Sequence, residues 1–352
     1  MSPARATLVY FDTAQLEHKP RYEWTFGRRI AHPETARRAE RIAAALAANA
    51  SRFSIRRPPA REPRKSDLLR IHDERLLALY RTAARVLVPG ETFCPSVFPR
   101  RDQTDPDPRD IHQAGYFCFD SGTPLTNATY DAAVRSAGCA LAAARAVGLG
   151  QVDHAYALCR PPGHHAQRDL FGGYCYLNNA ALAAHRLRPL GRGAIVDIDF
   201  HHGNGTQALF ERDPAVFFAS IHGEPRSFYP YFSGYASERG SGPGRGTTMN
   251  VPLPAGCDGS AYLGILRRTV LPALRAYDPH WLVISAGFDT HRLDPIGDFT
   301  LETADYFEIG ATLGRLSLPT VVVQEGGYAT AVLGDNVVSF LDGLRSGLRP
   351  GS

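Results

Sequence analysis

The stretch Ala194-Ile195-Val196-Asp197-Ile198-Asp199-Phe200-His201-His202-Gly203-Asn204-Gly205 decides how the rest of the chain is read. It opens as an apolar, β-branched run of the kind that makes a buried strand. It then sets Asp197, Asp199 and His201 at every second position. Strand side chains alternate between faces, so these three are expected on one side, where the strand ends. Two carboxylates and an imidazole buried side by side are costly unless something binds them. A divalent metal ion is the simplest partner, with Gly203 and Gly205 releasing the chain into a turn.

Outward from this strand, short apolar runs alternate with helix-like stretches. Strands are expected at 7–11, 154–159, 194–200, 215–221, 281–286 and 320–324. Amphipathic or alanine-rich segments lie between them, at 34–48, 127–147, 177–187, 259–277, 301–316 and 331–344. The alternation predicts an α/β fold, a mainly parallel sheet covered by helices on both faces. No internal repeat or low-complexity tract divides the 352 residues, and a single domain over 1–352 is expected. Two stretches break the pattern. Residues 88–125 are rich in Pro, Asp, Arg and aromatics, and loops of that length are functional or disordered. Phe93, Phe98, Tyr116, Phe117 and Phe119 argue against simple disorder, so this loop is expected to cover the site or dock onto a second subunit. Residues 223–246 form a second long loop, aromatic at Phe228, Tyr229, Tyr231, Phe232 and Tyr235.

Hydrophobic residues make up 44% and charged residues 21%, the balance of a soluble globular protein that can bury a large core. A net charge of +4 spread over the chain is too weak to indicate nucleic acid. No segment approaches 18 uninterrupted apolar residues, and the start leads into a short strand-like run rather than the apolar core of a signal peptide, so neither a membrane span nor an export signal is expected. Cys94, Cys118, Cys139, Cys159, Cys175 and Cys257 show no CxxC spacing and read as reduced thiols of a cytoplasmic protein.

Ligands in open α/β sheets bind outside the carboxyl ends of the strands. Five such ends carry polar or glycine-rich turns: Arg160-Pro161-Pro162-Gly163-His164-His165, Asp199-Phe200-His201, Ser220-Ile221-His222, Gly287-Phe288-Asp289 and Glu325-Gly326-Gly327-Tyr328. Ordinary loop chemistry explains any one of them easily, but hardly all five. Asp199, His201 and Asp289 make a sensible ligand set for Zn2+, with Fe2+ or Co2+ as alternatives. Three protein ligands leave a position for water and substrate. In the competing interpretation Asp289 is a helix N-cap and Asp199 is half of a buried ion pair. A histidine pair after a rigid Pro-Pro-Gly turn can serve as base for water and acid for a departing amine near neutral pH. Tyr328 offers a phenolic donor for an oxyanion opposite the metal; its bland alternative is a tyrosine packed on the rim.

Taken in order, Arg160 to His165, Gly173-Tyr174-Cys175-Tyr176-Leu177-Asn178-Asn179, Asp197 to Gly205, Ser285 to Asp289 and Glu325 to Tyr328 resemble the motifs of the zinc-dependent histone deacetylase superfamily. The resemblance runs from about His32-Pro33-Glu34 and Ile71-His72 to the last helix. It implies an arginase-like three-layer α/β sandwich with its site at the carboxyl ends of the strands. The 88–125 insertion, ending in Phe119-Asp120-Ser121-Gly122-Thr123-Pro124-Leu125, looks like that of the bacterial acetylpolyamine amidohydrolase branch. There the insertion helps build a homodimer and narrows the channel, and acidic residues at the interface recognise cationic polyamines. The aligned positions here are Ser121 and Gly122, and Asp102, Asp105, Asp107 and Asp110 are the acids that stand in, partly cancelled by Arg100, Arg101 and Arg109.

By the same resemblance Asp199, His201 and Asp289 bind Zn2+, and His165 is the general base and acid. His164 is an electrostatic partner oriented by Asp197, and Tyr328 polarises the acetyl carbonyl. Asn204 stands where a carboxylate is common, so the two histidines should differ in pKa. A monovalent cation, K+ or Na+, is implied at Asp197, the Ser220 hydroxyl and the carbonyls of Asp199, His201 and Ile221. A second is implied near Phe210, Asp213 and Val216. Gly173, Tyr174, Phe228 and Tyr229 would line a narrow channel, and the paired glycines before Tyr174 favour close approach of a ligand. The expected activity is Zn2+-dependent hydrolysis that releases acetate from acetylated primary amines. The substrate would be an acetylpolyamine, such as acetylputrescine or acetylcadaverine, or an acetyl-lysine peptide. The alternatives are a protein lysine deacetylase without polyamine activity and a non-catalytic acyl-amine binding module. An arginase-type ureohydrolase would need further carboxylates for two Mn2+ ions and has no use for the histidine pair.

Overall fold

A computed structural model describes residues 6–102 and 105–347; both ends of the expected 1–352 domain, and Gln103 and Thr104 in the inserted loop, lie outside the described residues. The chain forms β1 (Thr7–Tyr10), a hairpin of β2 (Tyr22–Thr25) and β3 (Arg28–Ala31), β4 (Phe53–Arg56), β5 (His154–Ala157), β6 (Gly193–Asp197), β7 (Val216–Gly223), β8 (Thr248–Leu253), β9 (Leu282–Ala286) and β10 (Thr320–Gln324). Among the described residues the main sheet has eight strands, all paired in parallel, in the order β4-β1-β5-β10-β9-β6-β7-β8. The helices are α1 (Ala36–Ala48), α2 (Lys65–Leu68), α3 (Glu74–Val86), α4 (Thr129–Gly148), α5 (Asn179–Leu187), α6 (Asn204–Phe210), α7 (Gly259–Ile265), α8 (Leu271–Tyr277), α9 (Thr303–Gly314) and α10 (Leu333–Gly347).

Alternate residues of each strand feed opposite cores, as the period-2 geometry of a strand requires. Leu8, Ala155, Ile195, Val283 and Val321 pack on one side with α3, α4 and α5. Val9, Tyr156, Val196, Ile284 and Val322 pack on the other with α1, α9 and α10. The result is the three-layer sandwich expected, with strands apolar on both faces because helices cover both.

Three expectations need correction. First, β6 ends at Asp197, short of Asp199 and His201. Asp197 Oδ1 accepts the Asp199 amide at 3.1 Å, and Asp199 Oδ1 accepts the His201 amide at 2.9 Å. Two successive turns closed by side chains, rather than strand alternation, therefore aim these residues together. Second, β7 runs on to Gly223, so Ser220 and His222 lie on the strand itself. Third, the 88–125 stretch is not structureless. Phe93 pairs with Leu125, Cys118 pairs with Phe171, and Ile111–Tyr116 makes a 3-10 turn capped by Asp110. Among the described residues no helix is long and apolar enough to cross a membrane, and all six cysteines are free thiols.

Candidate active site

The turns after β6, β9 and β10 meet at one point. His201 Nδ1 lies 3.2 Å from Asp199 Oδ1 and 3.1 Å from Asp289 Oδ2, and all three residues are buried. Asp289 caps no helix; its Oδ1 accepts the Phe200 amide at 2.8 Å, so it bridges two of the turns. The Gly326 amide donates to Asp199 Oδ2 at 2.8 Å. Burial and the Asp199 charge push the Asp289 carboxyl up to about 7. Burial works against a charge on His201, yet its hydrogen bonds to both carboxylates hold it up to about 9. The cluster thus retains positive charge against strong desolvation. A divalent cation answers the same need, and two carboxylates with one imidazole fit Zn2+.

The turn after β5 brings two imidazoles beside this cluster, their ring centroids 4.0 Å apart. Glu325 Oε2 anchors it by accepting the amides of Gly163 at 2.6 Å and His164 at 3.1 Å, and burial pushes that carboxyl up to about 8. His164 Nδ1 donates to Asp197 Oδ2 at 2.9 Å. Burial alone would neutralise His164, but the charges of Asp199 and Asp197 outweigh it and raise its pKa to about 10. His165 Nδ1 donates to Asn204 Oδ1 at 2.7 Å, which leaves its Nε2 lone pair free. Burial, reinforced by the positive charges of His164 and His201, pushes His165 well below its ordinary value. The expected divergence of the pair is present: one imidazolium beside one neutral imidazole.

Tyr328 follows β10 on a turn held by Arg38. The guanidinium donates to the Gly327 carbonyl at 2.5 Å and the Glu325 carbonyl at 2.6 Å, and lies 4.6 Å from the Tyr328 ring centroid. Burial keeps the phenol protonated, hence a donor. Tyr328, His165 and His201 form the floor of a cavity of about 510 Å³ walled by Tyr174, Phe228 and Tyr229. Gly173 lines the cavity as expected, and it also has a second use: at φ +56° a Cβ there would sit 2.1 Å from His165 Cδ2, so the glycine makes room for that imidazole.

The acids proposed from the inserted loop do not reach the cavity. Asp102 pairs with Arg100, Asp105 with Arg75, Asp107 with Arg109, and Asp110 caps its own turn. Glu23 and Asp120 line it instead. Asp120 Oδ2 accepts from the Gly173 amide and the Tyr229 hydroxyl, both at 2.7 Å. Glu23 is only 4% exposed; its side chain is hydrogen-bonded to Tyr174, while its Oε2 accepts no hydrogen bond and lies 4.0 Å from His32 Nε2. It lies on the hairpin, whose Phe26-Gly27 turn has both residues at positive φ and folds β2 over the cavity. Nothing local in the sequence marks it.

A family model described as the histone deacetylase domain matches residues 32–344. The chain belongs to the histone deacetylase family. Acetylpolyamine amidohydrolase 1 of Pseudomonas aeruginosa is 44% identical to this deacetylase-family chain over 298 residues, covering 82% of it and 84% of the relative. The acetylpolyamine amidohydrolase of Burkholderia pseudomallei is 39% identical over 347 residues, 96% of this chain and 98% of the relative. Among solved structures, acetylpolyamine aminohydrolase from Burkholderia pseudomallei superposes with a TM-score of 0.92 at 38% identity, covering 98% of this chain and all of that one. The HDA15 HD domain follows at 0.80 and 30%, covering 96% and 91%.

The residues expected to hold a monovalent cation lie beneath the deacetylase-family site. Asp197 and Ser220 are paired neighbours on β6 and β7. His222 Nε2 donates to the Gly234 carbonyl at 2.8 Å, so Nδ1 is an acceptor and Ser220 Oγ donates to it at 2.8 Å. The Ser220 lone pairs are left for another partner. His202 bonds Ser233 and Gln207 and ties the 223–246 loop down.

Proposed function

We propose that the chain is a Zn2+-dependent amidohydrolase that releases acetate from acetylpolyamines such as acetylputrescine and acetylcadaverine. Carrying this assignment is Glu23, a buried carboxylate with one oxygen that accepts no hydrogen bond, on the wall of an aromatic channel that ends at His165 and Tyr328. A slender alkyl chain with a distant ammonium suits such a channel, and the relatives named as acetylpolyamine amidohydrolases point the same way.

Asp199, His201 and Asp289 would hold Zn2+, which when bound supplies a Lewis acid for the acetyl carbonyl and lowers the pKa of water. Neutral His165 takes the proton of the attacking water at Nε2 and returns it to the leaving amine. His164, held cationic by Asp197, stabilises the negative charge that develops. Tyr328 donates its hydroxyl to the nascent oxyanion. Asn204 fixes the His165 tautomer, while Tyr174, Phe228 and Tyr229, with Gly173 beside them on the cavity wall, keep the alkyl chain extended. K+ or Na+ at Asp197, Ser220 and Ile221 would stiffen the loop beneath.

Removing the metal with a chelator should abolish turnover, and one equivalent of Zn2+ per chain should restore it. Two Mn2+ per chain by elemental analysis would instead favour a ureohydrolase. The substrate is tested by kcat/KM for N-acetylputrescine against an acetyl-lysine peptide; a large preference for the peptide rejects the polyamine assignment.

Glu23 gives a sharper test. Burial pushes its carboxyl up to about 7, so it attracts an ammonium above that pH and loses this attraction as it is protonated below. The ratio of kcat/KM for N-acetylputrescine to that for uncharged N-butylacetamide should therefore rise as pH passes through 7. Glu23→Gln should lower the first value by about tenfold or more, from a charged hydrogen bond of roughly 1.5–3 kcal/mol, and spare the second. Equal losses on both substrates would remove Glu23 from amine recognition.

In the same proposal 1–352 acts as one domain in the cytoplasm, and the chain forms a homodimer through the 88–125 side. Six free thiols support a reducing compartment. Val97 and Phe98, both exposed, leave apolar side chains on this stretch for a second copy to cover. A monomer by sedimentation at micromolar concentration would count against the dimer.

A further inference from the structure

The turn that carries Tyr328 has no regular structure of its own, so the position of its hydroxyl depends on what holds the backbone. Arg38 takes the carbonyls of Glu325 and Gly327, and Asp199 takes the Gly326 amide. The amides of Tyr328 and Ala329 both donate to one oxygen of Asp294, Oδ2, at 2.6 and 3.1 Å. Its other oxygen, Oδ1, accepts the amides of Ile296 and Gly297 at 3.0 and 3.3 Å. Asp294 is 8% exposed, and these four amides engage both oxygens of its carboxylate, two on each.

The far side of this link is equally constrained. Gly297 sits against the Asp289 backbone so closely that a Cβ there would lie 1.7 Å from the Asp289 carbonyl oxygen. Pro295 and Ile296, between the two anchor points, line the channel. One carboxylate thus joins the Tyr328 backbone, the channel wall and the segment that carries Asp289.

We propose that Asp294 is the positioning residue for Tyr328, setting its hydroxyl at the height of the oxyanion and registering it against the channel wall. Asp294 touches no reacting atom and acts through Tyr328. This rests on the deacetylase assignment above. Asparagine at 294 offers one carbonyl oxygen and one NH2, so one of the two amide pairs would face a donor and be lost. The turn would then swing, costing the transition state more than bound substrate, because the oxyanion forms only in the transition state.

The test compares wild type, Asp294→Asn, Asp294→Glu, Tyr328→Phe and the Asp294→Asn/Tyr328→Phe double variant on N-acetylputrescine, each checked for bound zinc and thermal midpoint. Asp294→Asn should lower kcat by about tenfold or more while KM moves less than about threefold. In the double variant the loss should match that of Tyr328→Phe alone within about threefold, because both changes remove the same interaction. Losses that multiply, or an unchanged kcat in Asp294→Asn, would overturn the proposal. Should Asp294→Asn fail to fold, Asp294→Glu decides: it keeps the charge but displaces the turn, and wild-type kcat there would also overturn it. If Tyr328→Phe itself turns over normally, the oxyanion assignment falls first. If Tyr328→Phe is impaired and the losses multiply, only the role of Asp294 falls.

Discussion

Replacing Tyr328 by phenylalanine should lower kcat by about 10²–10³-fold, the usual loss for one oxyanion donor, and leave the protein folded. The substitution removes one oxygen and nothing else. The ring stays over Arg38, whose guanidinium is 4.6 Å from its centroid, and edge-on to Tyr174. The phenol is protonated because burial pushes it well above its ordinary value, so the hydroxyl is available to donate at any working pH. KM should change little, since the ground-state carbonyl carries less charge than the oxyanion. Initial rates of acetate release, zinc content and a thermal melt check all three points. Near-normal turnover with intact zinc would sink the role assigned to Tyr328.

Replacing His165 by alanine should cost about 10²–10⁴-fold, the range for loss of a positioned general base. Among the two imidazoles it is the one able to accept a proton. Burial and the neighbouring positive charges keep it neutral, and Asn204 directs its lone pair away from Nδ1. His164 is raised to about 10 beside Asp199 and Asp197, so it already carries its proton and contributes charge rather than proton transfer. His164→Ala should therefore be the milder of the two. Kinetics showing His164→Ala more damaging than His165→Ala would reverse the assignments.

Much of this site is written in the chain locally. The β-branched runs at β6, β9 and β10 are apolar on both faces, and the polar turns follow them, so the rim of the sheet could be anticipated. The edges could not. β4 leaves Ile55 and Arg56 exposed, and β8 contains Pro252, which an edge strand tolerates and a pattern search rejects. Asp199 and His201 were legible as partners, although their alignment comes from Asx-type turns and not from the strand. Glu23, Asp120, Arg38 and Asp294 were not. Asp120, Arg38 and Asp294 act through contacts that span tens to hundreds of residues, and even Asp120, inside a quoted motif, is given no role by its own neighbours.

The strand order also bears on how the protein is made. β10 lies between β5 and β9, yet it is the final strand to leave the ribosome. Until Thr320–Gln324 emerges, β4-β1-β5 and β9-β6-β7-β8 share no ladder, and each presents an unpaired edge. His164 and His165 belong to the first half, Asp199, His201 and Asp289 to the second. A nascent chain therefore carries the three candidate metal ligands before it can hold them beside His164 and His165. Late closure of this kind leaves two unpaired sheet edges exposed during synthesis, the state in which a nascent domain is most open to aggregation.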